Sequence, residues 1–390
     1  MKKLKITILF LFLLGMIISC SSDDDSLPNP EPEEPTTEEP EEPGNPEPSD
    51  VAFQLLTNLK NNAEQGNTLL GHQATTIAGV GWRLWQRPDY SDFKAVSGKF
   101  PALYGWEISP RADNQDETYD YVSFETTIEE AKKAYNRGGV NTFNLHPYRL
   151  DNNGNSWDNA PGLVAKLIPN GQLHEEYKTM LDKYVFELKK LKDANGNPVP
   201  FIFRPYHEAN HDWFWWGNSA CSDDEFKTLF RFTIEYMRGK GLTNMLVCYA
   251  PGYFQNEATY LARYPGDDVV DFLGFDGYYG NNNGHGTDWN TLKNHLNVLK
   301  NIGQNKNKPV VWAETGEQNM ATNNYFTQLN QAITETGIKL AYMMFWANYA
   351  ENEYYLPYET LNNDALKTDF NHFIQMEKYQ AEGETPNLYQ

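Results

Sequence analysis

Phe201-Ile202-Phe203-Arg204-Pro205-Tyr206-His207-Glu208 is a short apolar run that gives way to a polar, aromatic turn. Val310-Val311-Trp312-Ala313-Glu314 repeats the arrangement, its glutamate 106 residues further along. Each reads as a buried strand opening onto a loop with an acid at its mouth. Six further apolar runs flank these two: Thr68–His72, Ala102–Trp106, Val140–His146, Met245–Tyr249, Phe272–Asp276 and Leu340–Trp346. The gaps between the eight runs leave room for helices. Thr126 to Arg137 opens with a capping-box-like Thr-Thr-Ile-Glu-Glu and stops at Gly138-Gly139. Leu173 to Leu191 and Asp223 to Lys240 have the same amphipathic character.

Eight buried strands alternating with helices predict a (β/α)₈ barrel as one domain over residues 51–390. A doubly wound open sheet is the competing arrangement, but no Gly-rich phosphate-binding turn follows the first run. In a barrel the chemistry gathers at the C-terminal ends of the strands. There this chain offers His72, Trp106-Glu107, His146, His207-Glu208, Asp276 with Tyr278, Glu314 and Trp346.

Residues 1–19 read as a removable signal: Lys2, Lys3 and Lys5 precede an apolar stretch from Ile6 to Ile18, too short to span a bilayer. Ser19-Cys20 resembles a bacterial lipobox, which makes Cys20 the expected lipidated first residue of the mature chain. Residues 20–50 read as a disordered tether, rich in Pro and Glu and poor in apolar side chains. Ser21-Ser22-Asp23-Asp24-Asp25 resembles the acidic export tag of Bacteroidetes surface lipoproteins. A monomer held at the outer membrane, facing the cell surface, is the expected setting. Of the 53 acidic residues 12 lie in 21–50, and three of the 32 basic residues in 1–20, which leaves residues 51–390 at −12 against −21 for the whole chain. So acidic a surface argues against nucleic acid as a partner. Beyond Cys20 only Cys221 and Cys248 remain; a disulfide between them is possible, although Cys248 lies within an apolar run.

Two carboxylates facing one pocket are the chemical minimum for cleaving a glycosidic bond. One works protonated, as acid and then base; the other works ionised, as nucleophile. Glu208 on the fourth run and Glu314 on the seventh meet this need, in aromatic company. Trp213-Phe214-Trp215-Trp216 directly follows and is expected to supply one or two sugar platforms, the rest being packing. Trp346 is placed as a further platform. Glu107, Glu257 and Glu317 are rival carboxylates without a paired setting. His207 and His211 lie four apart, but no Asp or Cys set completes a metal site, so neither metal nor cofactor is expected.

The His207-Glu208 pair followed by Trp213-Phe-Trp-Trp-Gly217 resembles family 26 of the glycoside hydrolases. Leu70-Gly71-His72-Gln73, Pro101-Ala-Leu-Tyr-Gly-Trp106 and Gly274-Phe-Asp-Gly-Tyr278 are similar to that family in the same order, and the resemblance covers residues 66 to 350. It implies a retaining endo-β-1,4-mannanase acting on β-mannan and manno-oligosaccharides. Exo-acting mannobiohydrolase, β-1,3-1,4-glucanase and β-1,3-xylanase activities of the family are alternatives, and a non-catalytic glycan-binding lipoprotein is an alternative of another class. By the same resemblance Glu208 is the acid/base and Glu314 the nucleophile. His207 would lie near the nucleophile or the sugar 2-hydroxyl, and Tyr278 would hydrogen-bond Glu314. His146 and Trp346 would hold the sugar on the glycone side of the scissile bond, with Trp213 across it. Asp276 would orient its neighbours or contact the sugar. Some family members have an Arg immediately after the strand-eight Trp; here Ala347 stands in that place.

Overall fold

The computed structural model describes residues 46–281 and 284–390. The expected signal segment, Cys20 and most of the acidic tether lie outside the described residues. The chain forms a closed ring of eight strands: β1 Thr68–Gln73, β2 Leu103–Glu107, β3 Val140–Asn144, β4 Phe201–Arg204, β5 Met245–Tyr249, β6 Phe272–Asp276, β7 Val310–Thr315 and β8 Leu340–Phe345. Every neighbouring pair is parallel, and β8 closes onto β1 with Leu69 opposite Tyr342 and Gly71 opposite Met344. This is the (β/α)₈ barrel read from the apolar runs. A two-residue strand, β9 (Tyr379–Gln380), pairs with the start of β1.

The helices Phe124–Asn136, His174–Leu188 and Asp223–Gly239 occupy three of the gaps between strands. The first is capped differently from the expectation. Ser123 is its N-cap, its Oγ accepting the Thr126 N–H at 3.2 Å, and the helix starts at Phe124. A reciprocal capping box does form at Ser222 and Glu225, where the Glu225 carboxylate accepts the Ser222 N–H at 2.8 Å. The N-terminal helix Asp50–Glu64 was not anticipated. Its Ala52, Leu55, Leu59 and Ala63 join the inner core of the barrel, and Lys60 donates to Asn307 Oδ1 at 2.7 Å, just ahead of β7. It therefore closes the end of the barrel opposite the C-terminal ends of the strands.

Alternation along each strand separates two cores. Leu69, Leu103, Val140, Ile202, Leu246, Phe272, Val311, Tyr342 and Met344 belong to the inner cluster. Leu70, Tyr104, Phe143, Phe203, Val247, Phe275, Trp312 and Met343 belong to the layer between strands and helices. Carried to the C-terminal ends, the inward parity selects Gln73, Glu107, Asn144, Arg204, Asp276 and Trp346. Glu314 is out of phase with Val311 and Ala313. The register corrects this: Asp276 pairs with Glu314 where Phe275 pairs with Trp312, and β8 meets the same extra residue. A bulge in β7 thus turns Glu314 toward the barrel axis. Cys221 and Cys248 are both buried and free, so the possible disulfide does not form. No helix among the described residues is long and apolar enough to cross a membrane.

Candidate active site

Glu208 follows β4 in a turn whose backbone is strained. Tyr206 and Glu208 both adopt left-handed φ, 50° and 53°, which non-glycine residues rarely take. The turn is tied to the end of the neighbouring β5 by the Glu208 N–H, which donates to Ala250 O at 2.8 Å, and is closed locally by His211 N–H, which donates back to Glu208 O at 3.0 Å. The Trp213 indole donates to Glu208 Oε2 at 2.8 Å. Although the residue keeps some solvent exposure, protein atoms crowd its carboxyl. Burial, reinforced by the charge of Glu314, raises its pKa to about 8 despite the Trp213 bond. At neutral pH Glu208 is therefore a protonated acid.

Glu314 is buried and gripped from two sides. Oε1 accepts a hydrogen bond from Arg204 Nη2, and Oε2 accepts one from the Tyr278 hydroxyl at 2.5 Å. Burial, with the neighbouring Glu314 charge, pushes the Tyr278 phenol well above its ordinary value, so it remains a donor. Tyr278 is fixed in turn by Tyr253, whose hydroxyl donates to Tyr278 O at 2.9 Å and accepts the Tyr278 N–H at 3.0 Å. His207 Nε2 stands 3.9 Å from Glu314 Oε1. Burial, with Arg204 and His146 nearby, lowers the His207 pKa far below the ordinary range, so its imidazole is neutral.

Arg204 completes the arrangement. Its Nη1 donates to Asp276 Oδ2 at 2.8 Å while Nη2 holds Glu314. Burial disfavours its charge, but the two carboxylates outweigh that and hold it protonated. Asp276, expected to orient its neighbours or contact the sugar, has a fully buried side chain that reaches the site through Arg204. His207, Asp276 and Glu314 offer ligand atoms within 4.8 Å of one another, but the guanidinium already bridges the two carboxylates, which leaves a cation little charge to compensate.

On the other side of the cleft, His146 Nδ1 pairs with Glu107 Oε2 at 2.6 Å, and its backbone N–H donates to Ser109 Oγ at 2.6 Å. Glu107 also accepts from Asn144 Nδ2 at 2.9 Å, and Asn144 Oδ1 accepts from Gln73 Nε2 at 3.2 Å. The His146 ring stacks on Trp157 (5.2 Å, 15° between planes) and meets His207 edge-on at 4.6 Å. Trp346 is half-buried and lines the same cavity as His146 and Trp157. In the aromatic loop, Phe214, Trp215 and Trp216 are buried packing; Trp216 donates to His207 O at 2.9 Å and Trp215 to Pro147 O at 2.7 Å. Trp213 stays half-buried at the site, stacked on His211 at 4.1 Å.

The structure thus gathers Glu208, Glu314, His207, Tyr278, Trp213 and Asp276 around Arg204, with His146 and Trp346 alongside. His72 is not among them: it is buried with its Nδ1 against Thr75 Oγ1 at 2.9 Å. Glu317 accepts from Thr322 as a local cap, and Glu257 sits in the first turn of a short helix. Glu107, set aside in sequence as an unpaired rival, instead holds His146. Arg204, Asn144, Gln73 and Trp157 were not singled out; strand parity marks the first three, while no local signal marks Trp157.

The sequence model for glycosyl hydrolase family 26 matches residues 44–379. A mannan endo-1,4-β-mannosidase of Bifidobacterium adolescentis is 27% identical over 347 residues, covering 83% of this chain but only 34% of that protein. One of Bacillus subtilis strain 168 is 24% identical, covering 88% of this chain and 89% of its own length. Among solved structures, a family 26 β-mannanase from Bacteroides ovatus superposes with a TM-score of 0.81 at 31% identity, covering 88% of this chain and 98% of that one. A modular endo-β-1,4-mannanase from Cellulomonas fimi superposes with a TM-score of 0.78 at 28% identity, covering 89% and 78%. With a family match over most of its length, and with two carboxyl groups set for glycoside cleavage at the mouth of its barrel, the chain belongs to glycosyl hydrolase family 26.

Proposed function

We propose that the chain is a retaining endo-β-1,4-mannanase acting on mannan, galactomannan or glucomannan. The observation that carries the reading is the division of labour between the two glutamates. Glu208 keeps its proton to about pH 8, while Glu314 beside it is presented by Arg204 and Tyr278. In the first step Glu314 attacks the anomeric carbon as the glycosidic C–O bond breaks, and Glu208 gives its proton to the departing oxygen. In the second, the resulting Glu208 carboxylate takes a proton from water, which attacks the anomeric carbon and releases Glu314. Two inversions give net retention. His146 and Trp346 hold the sugar that becomes covalently bound, His207 lies near its 2-hydroxyl, and Trp213 lines the leaving-group side through its bond to Glu208.

The mannan preference and the endo mode are supported by the names of the relatives and neighbours, and the mechanism by the geometry. The surface lipoprotein setting, with Cys20 lipidated and the chain monomeric, is supported by the N-terminal sequence and suits a substrate too large to enter the cell. A time course on galactomannan tests the activity: an early spread of product lengths is expected, mannobiose alone would mean exo attack, and no release of reducing ends would overturn the reading. Glu314→Ala is expected to abolish hydrolysis while retaining mannan binding; full activity in that variant would remove Glu314 from its role.

A further inference from the structure

Beside the catalytic pair lies a cavity of about 570 Å³. Its inner wall carries His146, Trp346, Glu107 and Asn144; Glu208, Glu314 and Trp213 take no part in its lining. Because Glu208 protonates the leaving group and Trp213 adjoins Glu208, the cavity lies on the opposite, glycone side of the scissile bond. Its outer wall takes Tyr121 and Trp157 from the loops after β2 and β3, and Arg83 and Trp85 from the loop after β1. Ala78–Gly79 and Trp82–Arg83 form a small antiparallel hairpin there, and Trp85 follows it.

Two independent features mark this outer wall. The first is exposed aromatic surface. Among the described residues six large apolar side chains are prominently exposed, and three of them line this cavity: Trp85 (66%), Tyr121 (54%) and Trp157 (48%). Scattered exposed rings are unremarkable, but three around one cavity mark a surface awaiting a ligand with apolar faces. The second is Arg83, the single Lys or Arg in the lining. Its Nη1 is tied to the carbonyls of Trp82 at 2.8 Å and Gly79 at 3.1 Å, and no carboxylate of the described residues pairs with it. The hairpin that carries it is itself fixed. Asp92 accepts from the Trp82 indole at 2.8 Å, from Val80 N–H at 3.1 Å and from Asn348 at 3.0 Å. Ala347, the residue after Trp346, is fully buried, so β8 brings no cation here.

We propose that Trp85 and Arg83 form a distal glycone subsite, Trp85 as the platform for a pyranose and Arg83 as donor to its hydroxyls. Together they set the chain-length preference of the enzyme. A neutral sugar suits the site: its C–H face covers an indole, and its hydroxyls accept from a fixed guanidinium and donate to Glu353 across the cavity. The proposal rests on the mannanase reading and extends it to a wall that touches neither catalytic carboxyl.

The test measures kcat/KM on mannotriose and mannohexaose for wild type, Trp85→Ala, Trp85→Phe and Arg83→Met. Calorimetry with the same sugars is run on each change in a Glu314→Gln background. Trp85→Ala and Arg83→Met are expected to lower kcat/KM on mannohexaose roughly tenfold, through KM, with mannotriose little changed. Trp85→Phe, which keeps a ring, is expected to restore most of the loss. Equal activity and affinity of Trp85→Ala and wild type at both lengths would overturn the proposal. So would an equal loss at both lengths, which would mean a purely structural role. Failure of the wild type to cleave either sugar or any mannan would overturn the underlying mannanase reading, and the subsite with it.

Discussion

The Trp213 indole N–H lies 2.8 Å from Glu208 Oε2, so the side chain we propose for the leaving-group side also tunes the acid. A donor to a carboxylate favours its charged form, and here that bond works against burial and the Glu314 charge, which raise the Glu208 pKa to about 8. The alkaline limb of kcat/KM is therefore expected near pH 8, where Glu208 loses the proton that the leaving group needs. Trp213→Phe removes the donor but keeps an aromatic ring. It is expected to move that limb to higher pH, with a loss of about tenfold or more at the optimum. A pH profile of kcat/KM for both proteins checks this; an unmoved limb would separate Trp213 from the titration.

The same shift has a consequence for stability. Glu208 holds its proton to about pH 8 in the fold, whereas an unfolded glutamate releases it near 4.5. Between these values the folded state binds more protons than the unfolded one, so this residue's contribution to stability falls as pH rises through the window. Glu208→Gln removes the charge that burial disfavours. The variant is expected to be inactive yet more stable than wild type at pH 8, by on the order of 1–3 kcal/mol, with the gain shrinking toward pH 4.5. Denaturant midpoints at the two pH values measure it, and a gain equal at both would show that the carboxyl's ionisation is not its source.

The eight apolar runs specify their strands because buried parallel strands are continuous apolar segments bounded by polar turns. Glu208 and Glu314 were legible as acids at strand ends, but the orientation of Glu314 was not. By alternation from Val311 and Ala313 it faces outward, and the bulge that turns it inward belongs to the pairing of β7 with β6 and β8. Arg204 ends the apolar run that precedes His207-Glu208, and its parity with Ile202 points it inward. Its role required knowing that Asp276 and Glu314 lie across the barrel from it. Glu107 looked unpaired for the same reason, since its partner His146 is 39 residues away and meets it only on the neighbouring strand. The helix Asp50–Glu64 escaped notice because its apolar positions adjoin the acidic tether and fill the barrel end, a space that exists only once the ring has closed.

Arg204 is the single guanidinium between two buried carboxylates, bonded to Asp276 at 2.8 Å and to Glu314. Arg204→Lys retains the charge but loses the fork that reaches both partners. A loss of about 10²-fold or more in kcat is expected, with KM changed much less, because the defect lies in presenting the nucleophile rather than in gripping the chain. Arg204→Met leaves both carboxylates without their cation and is expected to cost about 3–5 kcal/mol of stability as well. Steady-state kinetics and denaturant unfolding on the two variants separate these effects. An Arg204→Lys enzyme with wild-type kcat would show that one contact to the pair suffices.

Glu107 holds His146, the residue we propose to border the reacting sugar. Nδ1 of His146 faces the Glu107 carboxylate, 2.6 Å from Oε2, and Trp157 stacked at 5.2 Å limits the ring's rotation, so the pair fixes which edge of the imidazole is turned to the cleft. Glu107→Gln keeps the volume and presents an amide in place of the carboxylate, so neither the ring's tautomer nor its angle is held as firmly. Because Asn144 and the Ser109 N–H also lean on this carboxylate, at 2.9 and 2.6 Å, the whole wall loosens together. A loss of about 10- to 100-fold in kcat/KM is expected, present on short and long manno-oligosaccharides alike, because His146 borders the reacting sugar. That uniformity distinguishes it from the length-dependent loss expected for Trp85→Ala. His146→Ala combined with Glu107→Gln should then lose little more than His146→Ala alone, since the carboxylate works through the ring. If the two losses multiply instead, Glu107 reaches the sugar by a route of its own.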